Sequence, residues 1–125
     1  MTPARRYTAV AQNTASKERL LVLLLRRANV HMETARELLV SDRAKSDDAL
    51  DKALAIVAEL NDTLDPQRSD ALCRSLADVY AFVTWRLIRA RAARDVSDVE
   101  AASRAFRPIV EAFEHAVEQT GAQHG

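Results

Sequence analysis

The sequence predicts an all-α protein, an antiparallel four-helix bundle. Glycine and proline are scarce, apolar residues recur at three- and four-residue spacing in four stretches, and the connections between those stretches are short. The 125 residues include only 2 glycines and 3 prolines, and aromatics make up 5%, leaving a chain rich in strong helix formers. A chain of this length is about one domain, large enough to bury a single core.

The first helix is expected over 17–40, with Ser16 as N-cap, because Leu21, Leu24, Leu25, Ala28, Met32, Ala35 and Leu39 fall on one stripe. The second is expected to begin after Ser46, with Asp47 and Asp48 in its first turn, where the helix dipole favours carboxylates. Its core face is Leu50, Ala53, Leu54, Val57, Leu60 and Leu64. Asp65-Pro66 reads as an N-cap followed by proline at the first helical position, opening a third helix that runs to about 94. Leu72, Leu76, Val79, Tyr80, Val83, Leu87 and Ala90 form its core face, and a second apolar strip, Ala77, Ala81, Trp85, Ile88 and Ala92, lies about a third of a turn away. Ser97-Asp98-Val99-Glu100 reads as a capping box for the fourth helix. Val99, Ala102, Phe106, Ile109, Phe113 and Val117 carry that helix to Gly121, and Pro108 in its interior predicts a kink or a split. The organisation expected is a flexible N-terminal tail over 1–15, the bundle over 16–120 and a disordered C-terminus over 121–125.

Composition narrows the function. Eighteen basic and eighteen acidic side chains cancel, so no global field draws in nucleic acid or anionic lipid. No apolar run exceeds the six residues of 20–25, closed by Arg26 and Arg27, where a membrane span needs about 20. One cysteine, Cys73, excludes an intramolecular disulfide and reads as a small core residue. The N-terminus lacks the apolar stretch of a signal peptide, so a cytoplasmic protein without membrane insertion is expected.

No constellation of catalytic, cofactor-binding or metal-ligating residues is expected. His31, His115 and His124 have no second histidine or cysteine at i+3 or i+4. His31 on a helix raises the alternative of a histidine phosphotransfer module, but the next turn, Met32-Glu33-Thr34-Ala35, lacks the lysine and glycine such modules carry. Asp47, Asp48, Asp51, Asp62 and Asp65 lack the spacing and glycine turn of a calcium loop and read as helix caps. Arg86, Arg89, Arg91 and Arg94 read as a solvated, dipole-favoured face rather than a phosphate-reading stripe. No nucleophile has a recognisable base beside it, and no glycine-rich loop is present to hold phosphate. What remains is apolar excess: the 20–25 run is apolar all round, and the third helix has its added strip with Trp85. Either that helix is the most buried of the four, or the strip is a groove for a partner helix.

Three segments carry a resemblance. Tyr7-Thr8-Ala9-Val10-Ala11-Gln12-Asn13 with Thr14-Ala15-Ser16 resembles the start of the flagellar export chaperone family (FliS), where a tyrosine-containing tail precedes a Thr-Ala-Ser/Thr-Pro helix start. Ser75 to Ala90 is similar to that family's Leu-x-x-Leu-Tyr-x-Tyr-Met-x-x-Arg-Leu-x-x-Ala stretch, and Ile109-Val110-Glu111-Ala112-Phe113 to its terminal Glu-Ala-Trp run. The likeness covers about residues 7–117, carried by order and spacing. Departures are Lys17 for the family's proline, Leu24-Leu25-Arg26-Arg27-Ala28 for Leu-Tyr-Asp-Gly-Ala, Phe82 for the second tyrosine and Phe113 for the tryptophan.

The resemblance implies a chaperone without nucleotide, metal or other cofactor. Such a protein binds the C-terminal segment of flagellin along apolar grooves, prevents premature polymerisation and delivers the subunit to the flagellar type III export gate. A helical adaptor for a client of another secretion system is the alternative that uses the same grooves. The partner-binding residues expected are Ala77, Ala81, Trp85 and Ile88 on the third helix, with Leu25 on the first at the groove's edge. The family's tail implies that Tyr7 and Val10 fold back as a removable cover.

Overall fold

A computed structural model describes residues 3–65, 67 and 70–124, with side chains over 17–65, 67 and 70–119. Four helices follow in order: α1 (Pro3–Leu38), α2 (Arg43–Asp62), α3 (Ala71–Ala93) and α4 (Val96–His124). The predicted fold class is the observed one, although the helix ends differ from those expected.

Three aspartates set the starts of α2, α3 and α4. Asp42 accepts from the Lys45 N–H at 3.1 Å, so α2 begins before Ser46. Ser46 is a buried first-turn residue whose hydroxyl donates back to the Arg43 carbonyl at 3.0 Å. Asp70 accepts from the Cys73 N–H at 2.8 Å and caps α3, whereas Asp65, the cap expected, closes a local turn by accepting from the Gln67 N–H at 2.9 Å. At α4 the Ser97 N–H and hydroxyl both donate to Asp95, at 2.9 and 2.7 Å, so Asp95 replaces Ser97 as the capping side chain. Ser16 lies inside α1, which starts at Pro3, and α4 passes Gly121 to end at His124. α4 is also a single element through Pro108, which excludes the split expected there.

The connections after α1 and α3 are a few residues long, and consecutive helices pack side by side in an antiparallel bundle. α1 packs on α2 and α4, and α3 packs on α4 and α2; α1 and α3 are diagonal and make no packing contact among the described residues. The core is drawn from every predicted stripe: Leu25, Ala28, Met32, Ala35 and Leu39 of α1, Leu50, Ala53, Val57 and Leu60 of α2, Tyr80, Val83, Leu87 and Ala90 of α3, and Val99, Ala102 and Phe106 of α4. Each large apolar side chain fully buried there contributes about 1.5–3 kcal/mol. Leu72, assigned to the core by its spacing, is 67% exposed in the first turn of α3, where it borders an open groove with Thr63 and Leu64. Among the described residues no helix is long and apolar enough to cross a membrane.

Candidate partner-binding surface

α3 carries two apolar faces, and the bundle buries only one of them. Tyr80, Val83, Leu87 and Ala90 point into the core, which turns the second strip outward: Ala81 and Ala92 are exposed, Trp85 is 53% exposed and Ile88 54%. Ala77, higher on the same strip, is half-buried. The strip is therefore surface at Trp85 and Ile88, and the reading of α3 as the most buried of the four helices does not account for them.

The strip forms one side of an open groove of about 460 Å³ between α3 and α2. Tyr80, Ala81, Thr84, Trp85 and Ile88 line it from α3, and Val57, Ala58 and Asn61 from α2. Ala58, Ala81 and Thr84 are small enough for another backbone to approach closely, and Trp85 offers a large apolar ring with a polar N–H edge. α2 and α3 are the most sparsely packed pair of neighbouring helices, which leaves the groove open. The Tyr80 phenol beneath it is buried, and that burial raises its pKa.

Leu25 does not belong to this groove. It is 0% exposed, its helix lies diagonally across the bundle from α3, and the wall facing Trp85 is made by Ala58 and Asn61 instead. The side chains of Tyr7 and Val10 lie outside the described residues.

The arginines Arg86, Arg89 and Arg91 late in α3, and Arg94 at its C-cap, are engaged rather than simply solvated. Arg86 donates to Asp98 at 2.9 Å, and its guanidinium lies 5.5 Å from the ring centre of Phe82 and 5.7 Å from that of Trp85. Arg89 lies 5.1 Å from the Trp85 ring centre. Arg91 pairs with Asp51, and Arg94 donates to Asp47 at 2.5 Å and to the Ser46 hydroxyl at 3.1 Å. Asp47, expected to serve the α2 dipole, and Asp51, read as a capping residue, thus tie the start of α2 to the end of α3, while Asp48, the other residue expected to serve the dipole, pairs with Lys52 one turn on at 2.9 Å. Asp98 was hidden in sequence by the apparent capping box. The signal for its role was its place just across the short α3–α4 turn, twelve residues after Arg86.

His31 is half-buried and borders a separate shallow groove with Leu24, Arg27, Lys52, Ala55 and Ile56. Burial first, then the cations of Lys52 and Arg27, lower its pKa, against a smaller opposing effect of Asp48. Among the described residues no three histidine, cysteine or carboxylate side chains converge as metal ligands.

No curated protein matches the chain. The family model of flagellar protein FliS matches residues 1–120. With nearly its whole length matched and its four-helix bundle in place, the chain belongs to the FliS family of flagellar export chaperones.

Proposed function

We propose that this chain binds the C-terminal segment of flagellin in the cytoplasm, with the α2–α3 groove as a principal docking surface. Binding masks the segment against premature polymerisation until the subunit is handed to the flagellar type III export gate. The observation that carries this reading is the exposed Trp85–Ile88 strip beside small residues on a helix whose other face is already buried. An amphipathic helix laid in such a groove buries its apolar face without any chemistry being done on it. Family membership supports a chaperone role in flagellar export, and the groove supports an apolar, helical client. Ala77 extends the strip along α3, and the N-terminal segment with Tyr7 and Val10, which forms the first turns of α1, serves as a removable cover by leaving that helix and folding over the groove until the client displaces it.

Calorimetric titration of a flagellin C-terminal peptide into the wild type and Trp85→Ala tests the proposal. Truncating a central aromatic anchor is expected to cost about 2 kcal/mol or more of binding, roughly a thirtyfold loss of affinity. Equal affinity in the two proteins removes the α2–α3 groove as the client site. Wild-type protein that does not bind the peptide at all removes the flagellin reading and leaves the adaptor for another client. Deletion of residues 1–13 is expected to strengthen or speed binding, and slower, weaker binding would count against a cover.

A further inference from the structure

We infer that Asp98 is a positioning residue for the partner-binding surface, acting through Arg86 to hold the ring of Trp85 in place before a partner arrives. The inference rests on the groove being the docking surface. It starts from a carboxylate in an unfavourable position: the Asp98 side chain is 2% exposed, and taking a carboxylate out of water is costly unless it is paired. Its pairing is one-sided. Oδ1 accepts from Arg86 at 2.9 Å, with Arg89 Nε at 3.9 Å, while Oδ2 is buried with no hydrogen-bond partner among the described residues. Asp95, the other carboxylate near these arginines, is occupied by the Ser97 N–H and hydroxyl. It already caps α4, so Asp98 is not required there.

A buried pair of this kind adds little net stability over apolar packing. Its consequence lies on the surface. The guanidinium that Asp98 grips is only part-buried, and it reaches both Phe82 and Trp85. Paired at one end with a buried side chain of α4, Arg86 forms a planar shelf beside the Trp85 ring, with Arg89 as a second cation against it. A half-exposed tryptophan otherwise samples several rotamers, and ordering it on binding weakens the complex. The Asp98–Arg86 pair removes that freedom in the unbound protein.

Trp85 is the chain's single tryptophan, so its fluorescence reads this residue alone. Two variants, Asp98→Asn and Arg86→Lys, are compared with the wild type by acrylamide quenching and time-resolved anisotropy of the free protein, and then by peptide titration. Lysine keeps a cation opposite Asp98 but lacks the planar guanidinium that reaches the carboxylate with one N–H while its face lies against the rings. Both variants are expected to quench more readily, to show faster ring motion, and to bind the flagellin peptide roughly two- to tenfold more weakly. The double variant should lose no more than either single one, because both break the same chain of contacts. Unchanged quenching and anisotropy in cooperatively melting Arg86→Lys protein overturns the inference, whatever becomes of Asp98→Asn if the latter folds poorly. The fluorescence arm needs no client, so it fails separately from the flagellin reading, which falls instead if Trp85→Ala binds the peptide as the wild type does.

Discussion

Arg94 holds the one positive φ among the described non-glycine residues, at φ 53° and ψ 40°, where it ends α3 with its N–H on the Ala90 carbonyl at 2.8 Å. Glycine is the usual occupant of such a position, since a Cβ there costs roughly 1 kcal/mol. The side chain explains the arginine: it spans to α2 and bonds both Asp47 and Ser46. Arg94→Ala keeps the backbone strain and loses the tie, leaving Asp47 with Arg91 Nε at 3.9 Å, and is expected to destabilise the fold by about 1–3 kcal/mol. Arg94→Gly loses the same tie but relieves the strain, so its loss should be smaller by roughly 1 kcal/mol. Urea midpoints in the order wild type, glycine, alanine would bear this out; alanine at or above glycine would not. His31 adds a pH dependence at the same scale. Its pKa is held below the ordinary 6.5, so between that value and the folded one the unfolded chain binds more protons than the native state. The contribution is therefore fully present above pH 6.5 and is lost as pH falls through the folded pKa. His31→Gln should flatten the decline in melting temperature on that acidic side, and an unchanged slope would exclude His31 as its source.

At the scale of the helices, the apolar stripes were legible and the ends were not. A 3.6-residue period over several turns marks a core face almost wherever the helix starts, so Leu50 to Leu60 and Val99 to Phe106 were placed without knowing the caps. Capping depends on a single short polar side chain, and the sequence offers competitors a few residues apart: Ser46 against Asp42, Asp65 against Asp70, Ser97 against Asp95. Nothing in the stripe chooses between them. Asp42→Ala and Asp70→Ala are each expected to lower stability by about 1 kcal/mol, and Ser97→Ala by only a few tenths, because Ser97 donates to the cap instead of providing it. A larger loss at Ser97 than at Asp70 in denaturant unfolding would reverse the assignment. Pro108 sits on the exposed side of a helix that continues past it. Pro108→Ala restores a helical N–H, and a gain of about 1–3 kcal/mol is expected in the same measurement. No gain would mean that the bundle already accommodates the missing bond.

Across the whole molecule, the separation of core from groove depends on which helices are neighbours. Periodicity does not contain that information. It marked Trp85 and Ile88 as surplus to the core of α3, but the expectation of Leu25 at the groove's edge needed a neighbour relation that the wide apolar start of α1, readable as core or as groove edge, does not supply. The bundle's order, with α1 and α3 on a diagonal, puts Leu25 wholly inside and gives the groove's far wall to α2. Two substitutions of similar chemistry should therefore behave in opposite ways. Leu25→Ala removes fully buried methyl groups and leaves a cavity that the surrounding helices fill only partly, an expected loss of about 2–5 kcal/mol in stability. Trp85→Ala removes a larger side chain, but one already half in water, and is expected to lower stability by about 1 kcal/mol or less while abolishing most of the peptide affinity. Because the two residues sit on helices that do not touch, the double variant should show the sum of the two stability losses within about 0.5 kcal/mol. Denaturant unfolding of all four proteins, with peptide titration at a denaturant-free temperature where each remains folded, closes the cycle. A Trp85→Ala loss as large as that of Leu25→Ala, or a strong coupling between them, would place Trp85 in the core and remove the groove on which the client reading stands.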